Sequence, residues 1–345
     1  MVVGVSREAG HICSRSEGLY EGEKEDSTHM KIYVAGHRGL VGSAIVREIE
    51  REGKHTWIGK THSELDLLDR NSVFEYLESN KPDVVIAAAA KVGGIWANNT
   101  FPVTFLSENL QIDTNLIDGS HAASVERLLF LGSSCAYPKL AEQPIKEEYL
   151  LTGELEETNE AYAMAKISGI KLVQAYRKQF GHRWISVMPT NLYGPGDNFD
   201  LESSHVLPAL IRKFHEAKLR NDPTVTLWGS GSPKREFLHS NDLARACLFL
   251  LEKYDDDLAL NVGVGNDLPI RELAELIKAV TGFKGSIEWD QSKPDGTPRK
   301  LLDISRISEL GWEASIGLEQ GLKDTYKWYL EQPENFSQAS TLGMS

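Results

Sequence analysis

The chain has 345 residues, enough for two domains or one large α/β unit, and its 41% hydrophobic and 25% charged content excludes wholesale disorder and collagen-like repeats. Fifty Asp and Glu against 37 Lys and Arg give a net charge of −13, which repels phosphate backbones at long range and argues against a general nucleic-acid binder. The 3 cysteines (Cys13, Cys135, Cys247) are too few for a disulfide framework and suit a reducing compartment, and no apolar run approaches the roughly 18 residues of a membrane span.

Residues 1–29 show little apolar periodicity and carry six acidic side chains, Glu8 to Asp26. Transit peptides are poor in acids and secretory signals need an apolar core, so this stretch reads as a disordered extension, with the cytoplasm as the default location. From Met30 strand and helix signals alternate. Strands are expected at Lys31–Ala35, His55–Gly59, Asp83–Ala90, Arg127–Ser134 and Trp184–Pro189. Helices are expected at Ser43–Glu52, Asn71–Ser79, Asp113–Ala123 and Ala161–Phe180. The pattern predicts an α/β fold, a Rossmann-type doubly wound parallel sheet over residues 30–190. After Asn191 glycine and proline become frequent. A smaller mixed α/β lobe is expected over 191–235 and 261–332, with a segment near 236–260 returning to the first lobe and a tail at 333–345.

The turn Gly36-His37-Arg38-Gly39-Leu40-Val41-Gly42 lies between the first strand and the first helix, where glycines let a backbone approach a pyrophosphate at a helix N-terminus. An NAD site usually places an acid roughly 20 residues on, at the end of the second strand. Here that place holds Lys60 and His62, with no carboxylate before Glu64. Basic groups attract a 2′-phosphate, and Arg38 adds a cation, so NADP(H) is the expected cofactor; Lys60 also reads as an ordinary surface lysine.

Tyr162 and Lys166 share one helical face at i, i+4 spacing. A lysine cation beside the phenol is expected to draw its pKa down from about 10 towards the working range. Ser133, at the carboxyl end of the fourth expected strand, is placed to hydrogen-bond a substrate carbonyl. No metal-ligand spacing is evident.

The turn, the Ser133-Ser134-Cys135 segment and Tyr162-x-x-x-Lys166, in this order, resemble the extended short-chain dehydrogenase/reductases. Within them the sequence is most similar to the GDP-4-keto-6-deoxy-mannose epimerase/reductases, the GDP-L-fucose synthase family. Ala87–Gly94, Leu131–Cys135, Met188–Gly194, Ser204–Pro208 and Lys293–Lys300 carry the similarity, which spans about residues 30–332. The resemblance implies NADPH-dependent 3,5-epimerisation and 4-reduction of GDP-4-keto-6-deoxy-D-mannose, a small-molecule substrate, by a homodimer. It implies that Cys135 and His205 exchange the protons at C3 and C5, with Ser133, Tyr162 and Lys166 serving the reduction. Pro189, Asn191 and Leu192 are then cofactor contacts, and Lys213, Trp228, Arg235 and Asp295 substrate contacts. Trp228 also reads as a core residue and Asp295 as the anchor of a Pro-rich turn. Ala136 stands where the family frequently has Ile, which is expected to loosen the pocket wall. Another nucleotide-sugar epimerase or reductase of the same fold, or a non-catalytic NADP-binding regulator, is the alternative reading.

Overall fold

The computed structural model describes residues 29–293 and 295–332. The expected extension (apart from His29) and the expected tail lie outside the described residues. In chain order the larger elements of the first half are β1 (Lys31–Ala35), α1 (Leu40–Glu52), β2 (Thr56–Ile58), α2 (Arg70–Asn80), β3 (Val84–Ala87), α3 (Ile95–Thr100), α4 (Asn109–Ala122), β4 (Arg127–Leu131), α5 (Glu160–Phe180) and β5 (Ile185–Pro189). There follow β6 (Asn191–Tyr193), α6 (Val206–Arg220), β7 (Thr224–Trp228), β8 (Lys234–Arg235), β9 (Phe237–His239), α7 (Ser240–Lys253), β10 (Leu260–Val262), β11 (Leu268–Pro269), α8 (Ile270–Thr281), β12 (Ser286–Asp290), β13 (Arg299–Lys300), α9 (Ser305–Glu309) and α10 (Leu318–Glu331).

Six strands form one sheet in the order β10-β5-β4-β3-β1-β2, all parallel. This is the expected α/β, Rossmann-like fold. The order reverses between β1 and β3, which pair Ala35 with Ala87. The crevice at the strand carboxyl ends beside such a reversal is where open α/β sheets bind ligands. The expected third strand, Asp83–Ala90, stops at Ala87. Ala88 and Ala89 leave the ladder to pass under Gly36, where a Cβ would stand 2.8 Å from the Ala89 backbone.

Each face of the sheet is buried. One apolar cluster joins Ile32, Val34, Ile86 and Val187 to α1 (Ile45, Ile49) and α7 (Leu243, Leu250). The other joins Tyr33, Val85, Leu128 and Phe130 to α2 (Val73, Leu77), α4 (Leu116, Ile117) and α5 (Ile170, Val173). A third cluster lies among α6, α8, α10 and β7 (Leu207, Phe214, Val225, Ile277, Leu322). Helices start and stop where the sequence signals it. Asp69 accepts hydrogen bonds from Asn71 and Ser72 to cap α2, and Gly53 and Gly181, in left-handed conformation, end α1 and α5. Helix α4 begins earlier than the expected Asp113, continuing from a π-helical stretch at Thr104–Glu108 that no apolar period reveals.

Gly169 lets α5 lie directly on β4: a Cβ there would collide with the Phe130 ring. This contact seats Tyr162 and Lys166 over the end of β4. Gly169→Ala is expected to cost about 1–3 kcal/mol through overpacking. Chemical denaturation of the variant reads this directly, and an unchanged midpoint would show that the interface has slack.

Candidate active site

Gly36 adopts φ +80° and its carbonyl accepts from Gly39 N–H at 2.9 Å. A Cβ on Gly42 would collide with that same carbonyl. No side chain caps α1 at Gly39, so the first N–H groups of the helix face the turn without a side-chain partner. A backbone cradle that any Cβ would fill, at an uncapped helix N-terminus beside the sheet reversal, fits a pyrophosphate. Leu40 and Val41 open the helix, and Val41 packs on the sheet core. The His37 ring turns away, 5.7 Å from the Trp57 ring, so its contribution to the turn is backbone.

At the end of β2 the basic side chains are partly engaged. Lys60 Nζ lies 3.3 Å from Glu64 Oε1 and His62 Nδ1 lies 3.7 Å from Asp66. Bonds from Thr61, then Lys60, hold the Glu64 carboxyl down to about 2, so Glu64 is an anion throughout the physiological range. Among the described residues Arg38 has no such ion pair and is exposed. A 2′-phosphate would therefore meet Arg38 first and would compete with Glu64 for Lys60. Further along, Pro189 ends β5, Asn191 Nδ2 donates to the Glu236 carbonyl at 2.8 Å, and Leu192 packs against the sheet core. All three line up from the carboxyl end of β5.

Ser133 follows β4 and its Oγ accepts from Cys135 N–H at 3.2 Å, starting a single 3₁₀ turn at Ser134–Ala136. The Ser133 side chain also hydrogen-bonds Tyr162. Ala136 is fully buried in the sheet core with Tyr137 and Ile145. It does not line the cleft, so the expected loosening of the pocket wall does not arise.

The expected effect of Lys166 on Tyr162 is overturned. Burial first, then the Coulombic influence of Cys135 and Asp113, pushes the phenol well above its ordinary value, opposed only by the Ser133 bond. The reason lies in α4. Lys166 Nζ sits 3.3 and 3.4 Å from the two Asp113 oxygens, with both side chains 2% exposed, and it stands 4.7 Å over the Phe130 ring. The cation is spent on Asp113. Burial raises the Asp113 carboxyl to about 6 against the pull of Lys166. Asp113 escaped the sequence reading because its partner is 53 residues away.

Lys300 escaped it too. Its Nζ lies 3.7 Å from Cys135 Sγ, delivered by β13, where Lys300 pairs with Arg235 of β8. His205 stands just before α6. His205 is exposed as a residue; desolvation first, then the Lys300 charge, lowers its imidazole pKa, so it is neutral at pH 7. The loop after β3 closes this side, Gly94 N–H donating to the Ser203 carbonyl at 2.8 Å. Cys135 thus acts electrostatically on Tyr162 and Arg235, and Lys300, which lies against Cys135, acts on His205, so the five groups are linked pairwise.

Of the expected substrate contacts, Arg235 is half-buried; desolvation lowers its pKa, while Cys135 and Glu156 pull the other way. Lys213 lies 5.5 Å over the Trp228 ring, and Lys293 stands at 5.5 Å as well. Trp228 is 65% exposed, which removes the core reading and leaves an open aromatic face between two cations. Asp295 accepts from Ser230 N–H at 2.6 Å and Ser230 Oγ–H at 2.7 Å. Both of its oxygens hold the Gly229–Ser232 turn, not the Pro-rich turn in which Asp295 itself lies.

A model of the NAD dependent epimerase/dehydratase family matches residues 32–263. GDP-L-fucose synthase 1 of Arabidopsis thaliana is 58% identical over 301 residues, covering 87% of this chain and 93% of that protein. GDP-L-fucose synthase of Escherichia coli (strain K12) is 52% identical over 315 residues, covering 89% and 98%. A solved GDP-L-fucose synthetase from Naegleria fowleri, bound to NADP, superposes with a TM-score of 0.82 at 33% identity, covering 90% of this chain and 94% of that one.

Removing the Lys300 charge leaves desolvation as the main influence on His205. Lys300→Met is expected to raise the imidazole pKa by a few tenths to about one unit. Ring-proton NMR titration of the chain and its variant checks this; an unmoved His205 resonance would separate Lys300 from the histidine.

Proposed function

The chain belongs to the NAD dependent epimerase/dehydratase family, and we propose that it converts GDP-4-keto-6-deoxy-D-mannose to GDP-L-fucose by 3,5-epimerisation followed by NADPH-dependent 4-reduction. The observation that carries this reading is the linkage of a proton-exchange pair to a carbonyl-reducing set: Lys300 lies against Cys135 and acts on His205, and Cys135 acts on Tyr162, to which Ser133 is bonded.

The C4 ketone of the substrate acidifies the hydrogens at C3 and C5. A thiol and a neutral imidazole both exchange protons near pH 7. Cys135 and His205 remove each proton and return one on the opposite face, passing through an enolate whose oxygen takes hydrogen bonds from Ser133 and Tyr162. The Gly36–Gly42 turn would hold NADPH, with Arg38 and Lys60 available to a 2′-phosphate, and the bound cofactor would supply the hydride. Tyr162, half-buried and protonated, gives its phenolic proton to the C4 oxygen. Arg235 forms a fork for diphosphate oxygens, and the open face of Trp228 stacks on the base. The cofactor unit is placed at residues 30–190 with 236–260, and the substrate lobe at 191–235 and 261–332.

Helices α4 and α5 leave apolar side chains uncovered at one end: Val103 is 76% exposed, with Leu106 and Met164 beside these helices also open. A second copy of the chain is the partner proposed for this face, giving a homodimer. A free Cys135 thiol that must stay reduced suits the cytoplasm.

NADPH consumption with GDP-4-keto-6-deoxy-D-mannose, with the product identified by NMR, tests the assignment. The parent is expected to yield GDP-L-fucose. Cys135→Ser is expected to consume NADPH while giving the unepimerised reduced sugar, and Tyr162→Phe to lose about two orders of magnitude in reduction. Reduction without epimerisation in the parent would remove the Cys135–His205 roles; no consumption by folded protein would remove the reading. Arg38→Ala is expected to weaken NADPH binding more than NADH binding in fluorescence titrations. Equal losses would place the 2′-phosphate elsewhere.

A further inference from the structure

The chain from Phe199 to His205 forms no strand or helix, yet it is fastened at several points. The buried Phe199 ring lies 4.7 Å from the Tyr329 ring of α10, and the Phe199 carbonyl accepts from Arg212 of α6 at 3.1 Å. Asp200 then ties the next turn. Its Oδ1 accepts from the N–H groups of Glu202 (3.1 Å) and Ser203 (2.9 Å) and from the Ser203 hydroxyl (2.9 Å). Its carbonyl accepts from Ser204 N–H at 2.9 Å. His205 follows as the N-cap of α6. Its ring makes no capping bond, while its carbonyl accepts from Ala209 N–H at 3.1 Å. The backbone of His205 thus opens the helix and its imidazole takes no part in the cap.

The loop between β3 and α3 lies against this turn and is held by two buried asparagines. Asn109 of α4 accepts from Lys91 N–H at 2.7 Å and donates to the Lys91 carbonyl at 3.0 Å. Asn98 of α3 donates to the carbonyls of Gly93 (2.8 Å) and Gly94 (3.1 Å). The two loops meet at Gly94. Its N–H bonds the Ser203 carbonyl, and a Cβ on it would stand 2.6 Å from the Ser204 carbonyl oxygen. That carbonyl belongs to the peptide that enters His205. Gly94 has φ −69°, which other residues adopt freely, so glycine is required here for space and not for backbone freedom.

Proton transfer needs its partners within hydrogen-bond reach, and an ångström of misplacement can cost about a hundredfold. We propose that Gly94 and Asp200 are positioning residues for proton exchange. Asp200 shapes the turn that carries His205, and the Gly94 backbone, fixed by Asn98, sets how closely that turn seats. This rests on the role given to His205 above. Ser133 and Tyr162 stand on different supports, the end of β4 and α5, so a displaced His205 leaves the reducing set in place.

The test uses the full chain. The His205 ring resonances are identified by their loss in His205→Gln and followed in each variant without added nucleotide. Products from GDP-4-keto-6-deoxy-D-mannose and NADPH are then resolved by NMR. Gly94→Ala adds one methyl group and deletes no polar group. It is expected to shift the His205 resonances and to slow GDP-L-fucose formation about tenfold or more, with the unepimerised reduced sugar taking its place and NADPH oxidation kept. Asp200→Ala is expected to act likewise, and serves if Gly94→Ala does not fold. Asp200→Asn retains Oδ1 and is expected to restore the parent's resonances and product. His205 resonances unmoved by both Gly94→Ala and Asp200→Ala overturn the proposal. NADPH oxidation lost in step with GDP-L-fucose, or Asp200→Asn no better than Asp200→Ala, also overturns it, since either marks a general structural role. Shifted resonances with no GDP-L-fucose from the parent would sink the functional reading and leave the seating of His205 standing. GDP-L-fucose made equally by parent and variants would sink the positioning role alone.

Discussion

Helix α5 can lie against β4 only because position 169 carries no side chain, the Phe130 ring occupying the space a Cβ would need. The same ring covers Lys166 one turn earlier on the helix. Backbone contact and cation cover are therefore one feature, and it fixes the height of the helix above the strand. Tyr162 sits a further turn towards the N-terminus, which brings its hydroxyl to Ser133 just beyond the end of β4. Displacing the helix by the thickness of a methyl group would separate a hydroxyl pair that must meet within hydrogen-bond reach. The reducing half of the cleft is thus a consequence of core packing.

The proton-exchange half depends on a different joint. Glu236 is fully buried and accepts from the N–H groups of Val264 (2.5 Å), Gly265 (2.7 Å) and Leu302 (3.1 Å). It lies between β8 and β9, so one carboxyl group binds the strand carrying Arg235 to the chain segment that follows Lys300. Gln143 adds a bond to Leu301 N–H at 2.8 Å, from the loop after Cys135. These ties hold Lys300 at the Cys135 sulfur although β13 has only two residues. Burial raises the Glu236 pKa, with its three backbone donors holding it down.

What the sequence disclosed follows from these two kinds of constraint. Strands such as Lys31–Ala35, and the β4 end that carries Ser133, were legible because buried parallel strands are continuously apolar. The Tyr162–Lys166 pair was legible because its spacing is local. The turn at Gly36 was legible because close backbone approach demands glycine. Asp113 and Lys300 were not, since nothing local marks them. Each acts on a residue brought near by tertiary packing, 53 and 165 positions away. The same blindness produced the error over Tyr162: a pair of residues on one helix was read without the helix that packs beside it. Trp228 shows the converse, carrying a core reading and a contact reading until its exposure removed the first.

Two chemistries share this cleft, and they make opposite demands on charge. Proton exchange needs groups that give and take protons near neutrality; reduction needs a donor that keeps its proton until the ketone is in place. A single cation serving both would favour ionised groups throughout. The structure instead uses two lysines with different surroundings. Lys300 reaches Cys135, and its charge adds to the desolvation that lowers the His205 pKa. Lys166 is neutralised at its own position by Asp113. The two halves are therefore separated by pairing, not by distance. Coupling between the halves runs through Cys135, which also acts on Tyr162, so a proton leaving the thiol strengthens the phenol's hold on its own.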